Sequence, residues 1–139
     1  MTSSRRLHPI HIQHEVPFHD SDPLGIAWHG HYYKYFELAR TQLLRGLRLD
    51  GQNLLELNYR FLVIESHCRH IQPLAYAESF EISAWIQEYT HSLFIAYEIS
   101  SQKEERRCAT GFTKLVTVNA SGDLLLRTPQ IIQDRIAAD

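Results

Sequence analysis

The spacing of apolar residues changes along the chain, and each change marks a change of predicted structure. Between residues 10 and 18 apolar and polar positions alternate, with His14 interrupting the apolar side, which predicts a half-buried strand. From His31 to Leu49 apolar residues recur at helical spacing, which predicts one long helix with Gly51 just beyond its end. The helical positions are Tyr32, Phe36, Ala39, Leu43 and Leu47.

After the helix the chain is rich in β-forming residues. Segments 61–71, 80–87, 93–99 and 112–118 are predicted strands, and a turn at 119–123 separates the last of them from a short segment at 124–127. Consecutive β segments at this spacing favour an antiparallel meander. Thr128 and Pro129 are typical of an N-cap followed by proline at the first helical position, which predicts a short C-terminal helix. One long helix covers only one face of such a sheet, so self-association is expected.

Length and composition narrow the class of protein. The 139 residues predict a single α+β domain over 1–139, with 1–9 and 137–139 frayed. The formal net charge of -2 offers no excess of Lys and Arg for a nucleic-acid partner. No apolar stretch approaches the roughly 20 residues of a membrane span, and no signal peptide is recognised. We therefore expect a cytoplasmic protein in which Cys68 and Cys108 are free thiols.

The segment between the first strand and the helix concentrates the reactive side chains. It holds two carboxylates and three imidazoles around a loop that contains Pro23 and Gly25. These side chains are Asp20, Asp22, His19, His29 and His31. The N-terminus of a helix presents N–H groups without intrahelical partners, and such donors suit an oxyanion that develops on a carbonyl. A nearby carboxylate can attack that carbonyl or take a proton from water.

Other interpretations of these residues stay open at this point. An Asp-x-Asp pair before a helix is commonly loop and cap chemistry. His29 and His31 also form a His-x-His pair that, with an Asp, resembles a partial metal site, but the fuller ligand set of a zinc signature is missing and no metal is predicted. His67 and His70 are interpreted as marking the ends of a buried strand rather than as ligands.

Residues 20–32, followed by Tyr35-Phe36-Glu37-x-Ala39-Arg40, resemble the signature of the 4-hydroxybenzoyl-CoA thioesterase family. That family belongs to the hot-dog superfamily, in which an antiparallel sheet wraps around one long central helix. With His at position 29, the motif is similar to the Tol-Pal-associated acyl-CoA thioesterase branch, and so is the segment 63–73. The likeness covers roughly residues 10–128, and its first motif is the more specific part.

The resemblance implies roles for individual residues. Asp22 matches the catalytic carboxylate, and His29 matches the position whose backbone N–H helps to bind the oxyanion. Gly30 and His31 are placed with the substrate-binding residues, and Glu65 and Ser66 are expected to reach a substrate pocket across a subunit interface. Asp20 matches a supporting loop position, and Glu37 and Arg40 match structural positions. The family uses no metal and no organic cofactor.

The predicted function is hydrolysis of an acyl thioester, carried by coenzyme A or by an acyl carrier protein, in a homodimer or homotetramer. Asp22 acts as nucleophile or general base. Relatives that use coenzyme A often carry Arg and Lys in the turn between the two central strands, whereas residues 88–92 read Glu-Tyr-Thr-His-Ser, which favours an acyl carrier protein. The alternatives are a hot-dog dehydratase or hydratase, which needs a His base, and a non-catalytic acyl-binding module.

Overall fold

Over residues 5–103 and 105–138, which the computed structural model describes, the chain forms five strands and three α-helices. The strands are β1 (Leu7–Glu15), β2 (Arg60–His70), β3 (Ser79–Glu88), β4 (Leu93–Ser101) and β5 (Arg107–Val118). The helices are α1 (Tyr32–Gly46), α2 (Gly51–Glu56) and α3 (Gln130–Ala137). All strand pairs are antiparallel, in the order β1-β3-β4-β5-β2. Strands β3 to β5 form the predicted meander, but β1 and β2 flank it out of sequence order.

The core lies between α1 and one face of this sheet. Tyr35, Phe36 and Ala39 of α1 are buried, and Phe36 stacks on Tyr97 of β4 with ring centroids 4.4 Å apart. Gly111 of β5 permits this stacking, because a Cβ there would come within 2.6 Å of the Phe36 ring. The α+β architecture predicted from the sequence, a sheet around one long helix, is confirmed. In the described part of the chain, no helix is long and apolar enough to cross a membrane.

The first strand begins earlier than the alternation indicated. β1 starts at Leu7 and pairs with β3 from Leu7–Ile86 to Glu15–Ser79, so residues 7–9 are held in the sheet rather than frayed. α3 includes Ala137, which was also expected to fray. Residues 1–4 and 139 lie outside the described residues. Pairing with β3, which is distant in the sequence, thus extends β1 to residues outside the alternating pattern.

The long helix ends earlier than predicted, and a second helix follows it. α1 stops at Gly46, Arg48 has a positive φ of 59°, and Leu49 N donates to Leu44 O at 2.8 Å. Asp50 then caps α2 by accepting a hydrogen bond from Asn53 N at 3.1 Å. Gly51 is therefore the first residue of α2 and not a helix stop.

The short segment 124–127 that follows the predicted turn is joined to β5 by an isolated bridge between Leu124 and Val118. The cap predicted for the C-terminal helix is wrong. Pro129, not Thr128, occupies the N-cap of α3. Thr128 is instead held from outside the helix, because its N–H donates to Thr90 O at 2.8 Å and its carbonyl accepts from Gln133 Nε2 at 2.8 Å.

Strand β2 is an edge strand and is mostly exposed, so its interpretation as a buried strand is wrong. It pairs with β5 on one side, and α1 packs mainly against β1 and β3. Leu62, Val63 and Ile64 are 47%, 43% and 49% exposed, which leaves three successive apolar side chains in water. An exposed apolar edge of this kind is a site for pairing with another chain.

Candidate active site

The loop between β1 and α1 folds back on itself at Asp22. Asp22 N donates to Ile26 O at 2.8 Å, and Gly25 N donates to Asp22 O at 2.9 Å. Gly25 has a φ of 79°, in the left-handed region that favours glycine. Leu24 N also donates to Asp22 Oδ1 at 2.9 Å. The Asp-Pro-Leu-Gly sequence thus makes a tight turn whose own backbone fixes the Asp22 carboxylate.

Asp20, two residues earlier, is completely buried and ties this loop to α1. Its Oδ1 accepts from Lys34 Nζ at 2.5 Å and its Oδ2 from Tyr35 Oη at 2.8 Å. Its backbone carbonyl accepts from Trp28 N at 2.9 Å. Burial acts to raise the pKa of Asp20, but hydrogen bonds from Lys34 and Tyr35 outweigh it and hold the pKa below its ordinary value. Asp20 is therefore an ionised internal brace without access to a ligand.

Asp22 and His29 line the same cleft, which has a volume of about 340 Å³. The loop before α1 forms one wall, and the end of β2 with the residues that follow it forms the other. The lining residues are Asp22, Ile26, Ala27, His29, Tyr32, His70, Ile71, Gln72 and Pro73. The second wall is held in place because Ile71 N and Gln72 N donate to Cys108 O and Ala27 N donates to Leu74 O.

The start of α1 adds hydrogen-bond donors to this cleft. His29–His31 form a 3-10 turn that leads directly into Tyr32. The capping positions Trp28 and His31 supply no side-chain hydrogen bond in the described part of the chain. The amides at the beginning of this turn are therefore available to a ligand oxygen, and the dipole of α1 favours negative charge there.

His70 lines the cleft, although the sequence analysis interpreted it as the end of a strand and not as a site residue. Its ring lies 6.0 Å from the His29 ring, centroid to centroid, and packs edge-on against Tyr32 at 4.6 Å. Burial, with a smaller contribution from nearby His29, lowers the pKa of His70, so its imidazole is neutral at pH 7. Burial raises the pKa of Tyr32 to about 12. The sequence signal was the segment 63–73 of the family resemblance, where His70 lies just before Pro73.

Four other predicted site residues lie outside the cleft lining. Gly30 sits beneath Trp28, where an added Cβ would overlap the indole ring. His31 turns towards the buried loop, with Nε2 3.8 Å from Asp20 Oδ1. Side chains alternate along β2, so Ser66 shares the face of His70 whereas Glu65 points to the opposite face. Both are exposed at the free edge of the sheet.

His29 and His31 have different surroundings, since His29 lines the cleft and His31 approaches Asp20. Among the described residues no group of three or more His, Cys, Asp or Glu side chains comes together in a way that suits a metal ion. The cleft itself offers the carboxylate of Asp22, the imidazoles of His29 and His70, and backbone N–H groups.

The fold and the cleft place the chain among hot-dog proteins, and the sequence comparison identifies the family. A family model described as the Thioesterase-like superfamily matches residues 16–136, so the chain belongs to that superfamily. Acyl-CoA thioesterase YbgC of Haemophilus influenzae is 34% identical over 58 residues, which is 42% of this chain and 40% of that protein.

Solved structures agree with this assignment. The BH1999 gentisyl-coenzyme A thioesterase is 25% identical, with a TM-score of 0.78 over 92% of this chain and 100% of its own. A mutant 4-hydroxybenzoyl CoA thioesterase complexed with 4-hydroxybenzoyl CoA is 16% identical, with a TM-score of 0.81 over 94% of this chain and 99% of its own. These likenesses confirm the hot-dog fold predicted from the sequence.

Proposed function

We propose that the protein hydrolyses an acyl thioester to a free acid and a thiol, with Asp22 as the catalytic carboxylate. The observation that carries this proposal is the shared cleft, in which Asp22 and His29 meet at the start of α1. Membership of the Thioesterase-like superfamily and the likeness to YbgC, named an acyl-CoA thioesterase, support it. The motif with His29 supports placing the chain in the Tol-Pal-associated branch.

The proposed chemistry follows from the two sides of the cleft. The carbonyl oxygen of the thioester accepts hydrogen bonds from the His29 amide region, where the α1 dipole stabilises the negative charge that develops during attack. Asp22 then acts on the carbonyl carbon, either by attacking it or by taking a proton from the attacking water. The carbon–sulfur bond breaks, and the sulfur leaves with the carrier as a thiol.

A turnover screen tests this proposal against its rivals. Purified protein is incubated with acyl-CoA and acyl carrier protein thioesters of graded chain length, and released thiol is measured with a chromogenic thiol reagent. Hydrolysis supports the thioesterase. Hydration of an enoyl thioester without thiol release supports a hydratase, which the neutral His70 makes the second candidate. Binding without turnover leaves an acyl-binding module.

We also propose a homodimer in which two β2 edges pair. The exposed apolar residues 62–64 and the unpaired edge support this arrangement. Antiparallel pairing about a two-fold axis near Glu65 brings the His70 end of one β2 beside the Arg60 end of the other. The cleft of one subunit would then adjoin the region around Arg60 of its partner.

That region contains a groove suited to an acyl chain. It has a volume of about 380 Å³ and lies between α1, α2 and β2. Its apolar wall includes Leu44, Leu49, Leu54, Leu55, Phe61 and Leu115. In the proposed dimer the thioester is held at Asp22 of one subunit while its acyl chain extends into the groove of the other. In this proposed arrangement the active site depends on both chains.

The carrier is proposed to be an acyl carrier protein or coenzyme A, which place different demands on the turn between β3 and β4. Glu88 organises this turn internally, since its carboxylate accepts from Thr90 N at 2.7 Å and from His91 N at 3.2 Å. The turn itself presents no Arg or Lys. A cation nevertheless reaches it from the N-terminus, because the Arg5 guanidinium lies 5.8 Å from the Tyr89 ring centroid.

An acyl carrier protein is acidic and would dock on a basic surface, but two arginines that could contribute to such a surface are paired within the chain. Arg106 Nη2 lies 2.7 Å from Glu78 Oε2, and Arg107 Nη1 lies 3.4 Å from Glu98 Oε2.

Cys68 and Cys108 are both free thiols, which supports the proposed cytoplasmic location.

A further inference from the structure

His70 combines three features that its role as the end of an edge strand does not require. It lines the cleft together with Asp22 and His29. Its ring is oriented by an edge-on contact with the buried Tyr32. Its Nδ1 lies 4.0 Å from Cys68 Sγ, on its own strand, which leaves Nε2 as the ring nitrogen available to a ligand.

The surroundings of His70 decide its protonation. The ionisable groups around it are Asp22 in the loop before α1, His29 in the turn, Tyr32 on α1, Cys68 on β2 and Arg106, which reaches the second wall through Gln72. Burial lowers the His70 pKa first, and His29 lowers it further. At neutral pH the imidazole of His70 is therefore unprotonated, and the free lone pair on its ring can accept a proton.

We propose that His70 is a catalytic residue that carries the proton of the hydrolytic water to the departing thiolate. This inference rests on the proposed thioesterase function and assigns Asp22 the role of nucleophile. Proton transfer is most efficient through a group whose pKa lies near the operating pH, and imidazole meets this condition better than a carboxylate. With His70 handling the proton, Asp22 is free to attack.

The steps balance in atoms and charge. An Asp22 oxygen attacks the thioester carbonyl carbon, the carbon–sulfur bond breaks, and the thiolate and an acyl–Asp22 anhydride are formed. Water then attacks the acyl carbon of the anhydride while His70 Nε2 takes one of its protons. The bond between the acyl carbon and the Asp22 oxygen breaks, which releases the acid and restores Asp22. The His70 imidazolium gives this proton to the thiolate sulfur, which has stayed in the cleft since the first step, and the thiol then leaves with its carrier.

The test compares His70→Phe with His11→Phe in the full-length protein. Phenylalanine at position 70 retains an aromatic ring to pack against Tyr32 but has no nitrogen. His11 is a control away from the cleft and from the proposed dimer edge, because it lies on β1 at the opposite edge of the sheet, where its Nδ1 is 2.7 Å from Ser83 Oγ. We expect kcat for His70→Phe to fall roughly 100-fold at pH 7, the scale of a lost acid–base group, and His11→Phe to stay within about twofold of wild type.

Two further readouts separate proton transfer from packing. The wild-type rate should fall at acidic pH as His70 becomes protonated, and this fall should be absent from the residual activity of His70→Phe. Added imidazole should raise the rate of His70→Ala by at least roughly tenfold, a partial recovery of the roughly 100-fold loss expected for a missing acid–base group. His70→Phe with near-normal kcat and an unchanged pH profile would overturn the inference. If Asp22→Asn is inactive while His70→Phe stays active, only the role of His70 is contradicted. If the wild-type protein turns over no thioester, the proposed function and the role of His70 are both contradicted.

Discussion

Replacing Asp22 with Asn is the perturbation that isolates the charge of the proposed catalytic carboxylate. The structural role of Asp22 is to accept the Leu24 N–H through Oδ1 at 2.9 Å, and an Asn side-chain oxygen accepts the same bond. The backbone bonds that close the turn involve no side chain at position 22. We therefore expect the free energy of unfolding to change by less than about 1 kcal/mol, within the range of a single exposed hydrogen bond.

The catalytic effect should be much larger than the structural one. Loss of a general base costs about 10²–10⁴ in rate, and loss of a nucleophile costs at least as much. At about 1.4 kcal/mol per tenfold change, the transition state is destabilised by roughly 3–5 kcal/mol. The expected pattern for Asp22→Asn is a kcat at least roughly 100-fold below wild type with a melting temperature close to wild type.

The assay is thiol release at saturating substrate, with thermal melts of both proteins under the same conditions. The substrate is the best acyl thioester from the turnover screen. A residual kcat within about threefold of wild type would refute the role assigned to Asp22, because no group on the reaction path can lose its charge at so small a cost. A large fall in melting temperature would instead refute the view that Asp22 is structurally dispensable.

The remaining predictions concern the brace, the assembly and the carrier. Asp20→Asn should lower the free energy of unfolding by about 1–2 kcal/mol at pH 7, a value discounted because Lys34 is 43% exposed. Since the folded-state pKa of Asp20 is lowered, its stabilisation is present above the unfolded Asp pKa of about 3.9, and the difference from wild type should shrink in acid melts as the pH falls through the folded pKa. Light scattering should show a dimer or a larger assembly at micromolar concentration, and Val63→Asp should weaken this assembly and lower kcat. A wild-type monomer that is active would contradict the shared site. When one acyl chain is presented on both carriers, kcat/KM should be higher with the acyl carrier protein if residues 88–92 control carrier choice. An equal or better kcat/KM with coenzyme A contradicts that control.

The local pattern of the sequence was sufficient to predict the central helix and to locate the loop that precedes it. Apolar residues at helical spacing located α1 because one face of that helix is buried whatever the rest of the chain does. Asp22 and His29 are seven residues apart, so a single turn brings them to the same cleft. The short helix α2 was missed because its six residues are too few to show a period, and the signal for it was the cap at Asp50.

The opposite wall of the cleft could not be predicted from a local pattern in the sequence. His70 is 48 positions after Asp22 in the chain, and it reaches the cleft through the pairing of β2 with β5, where His70 opposes Ala109. No period in the sequence encodes that register. The apolar run Leu62-Val63-Ile64 is typical of a buried strand, yet the position of β2 at the sheet edge leaves it exposed in a single chain. Burial of an edge strand depends on a partner, which a sequence pattern does not reveal.

The Asp-x-Asp pair shows why one carboxylate braces while the other is free to react. Asp20 is buried, and its two carboxylate oxygens accept hydrogen bonds from Lys34 and Tyr35 of α1. The loop can therefore move away from the helix only by leaving the Asp20 carboxylate without its partners. Asp22 projects from the loop so anchored, and its Oδ1 is held by a single backbone N–H. Ionising Asp20 inside the fold therefore fixes the backbone that positions Asp22 against the start of α1. In the proposed mechanism the two interpretations of the pair, loop chemistry and catalysis, apply to different residues, and the position of the proposed catalytic carboxylate of Asp22 depends on the brace at Asp20.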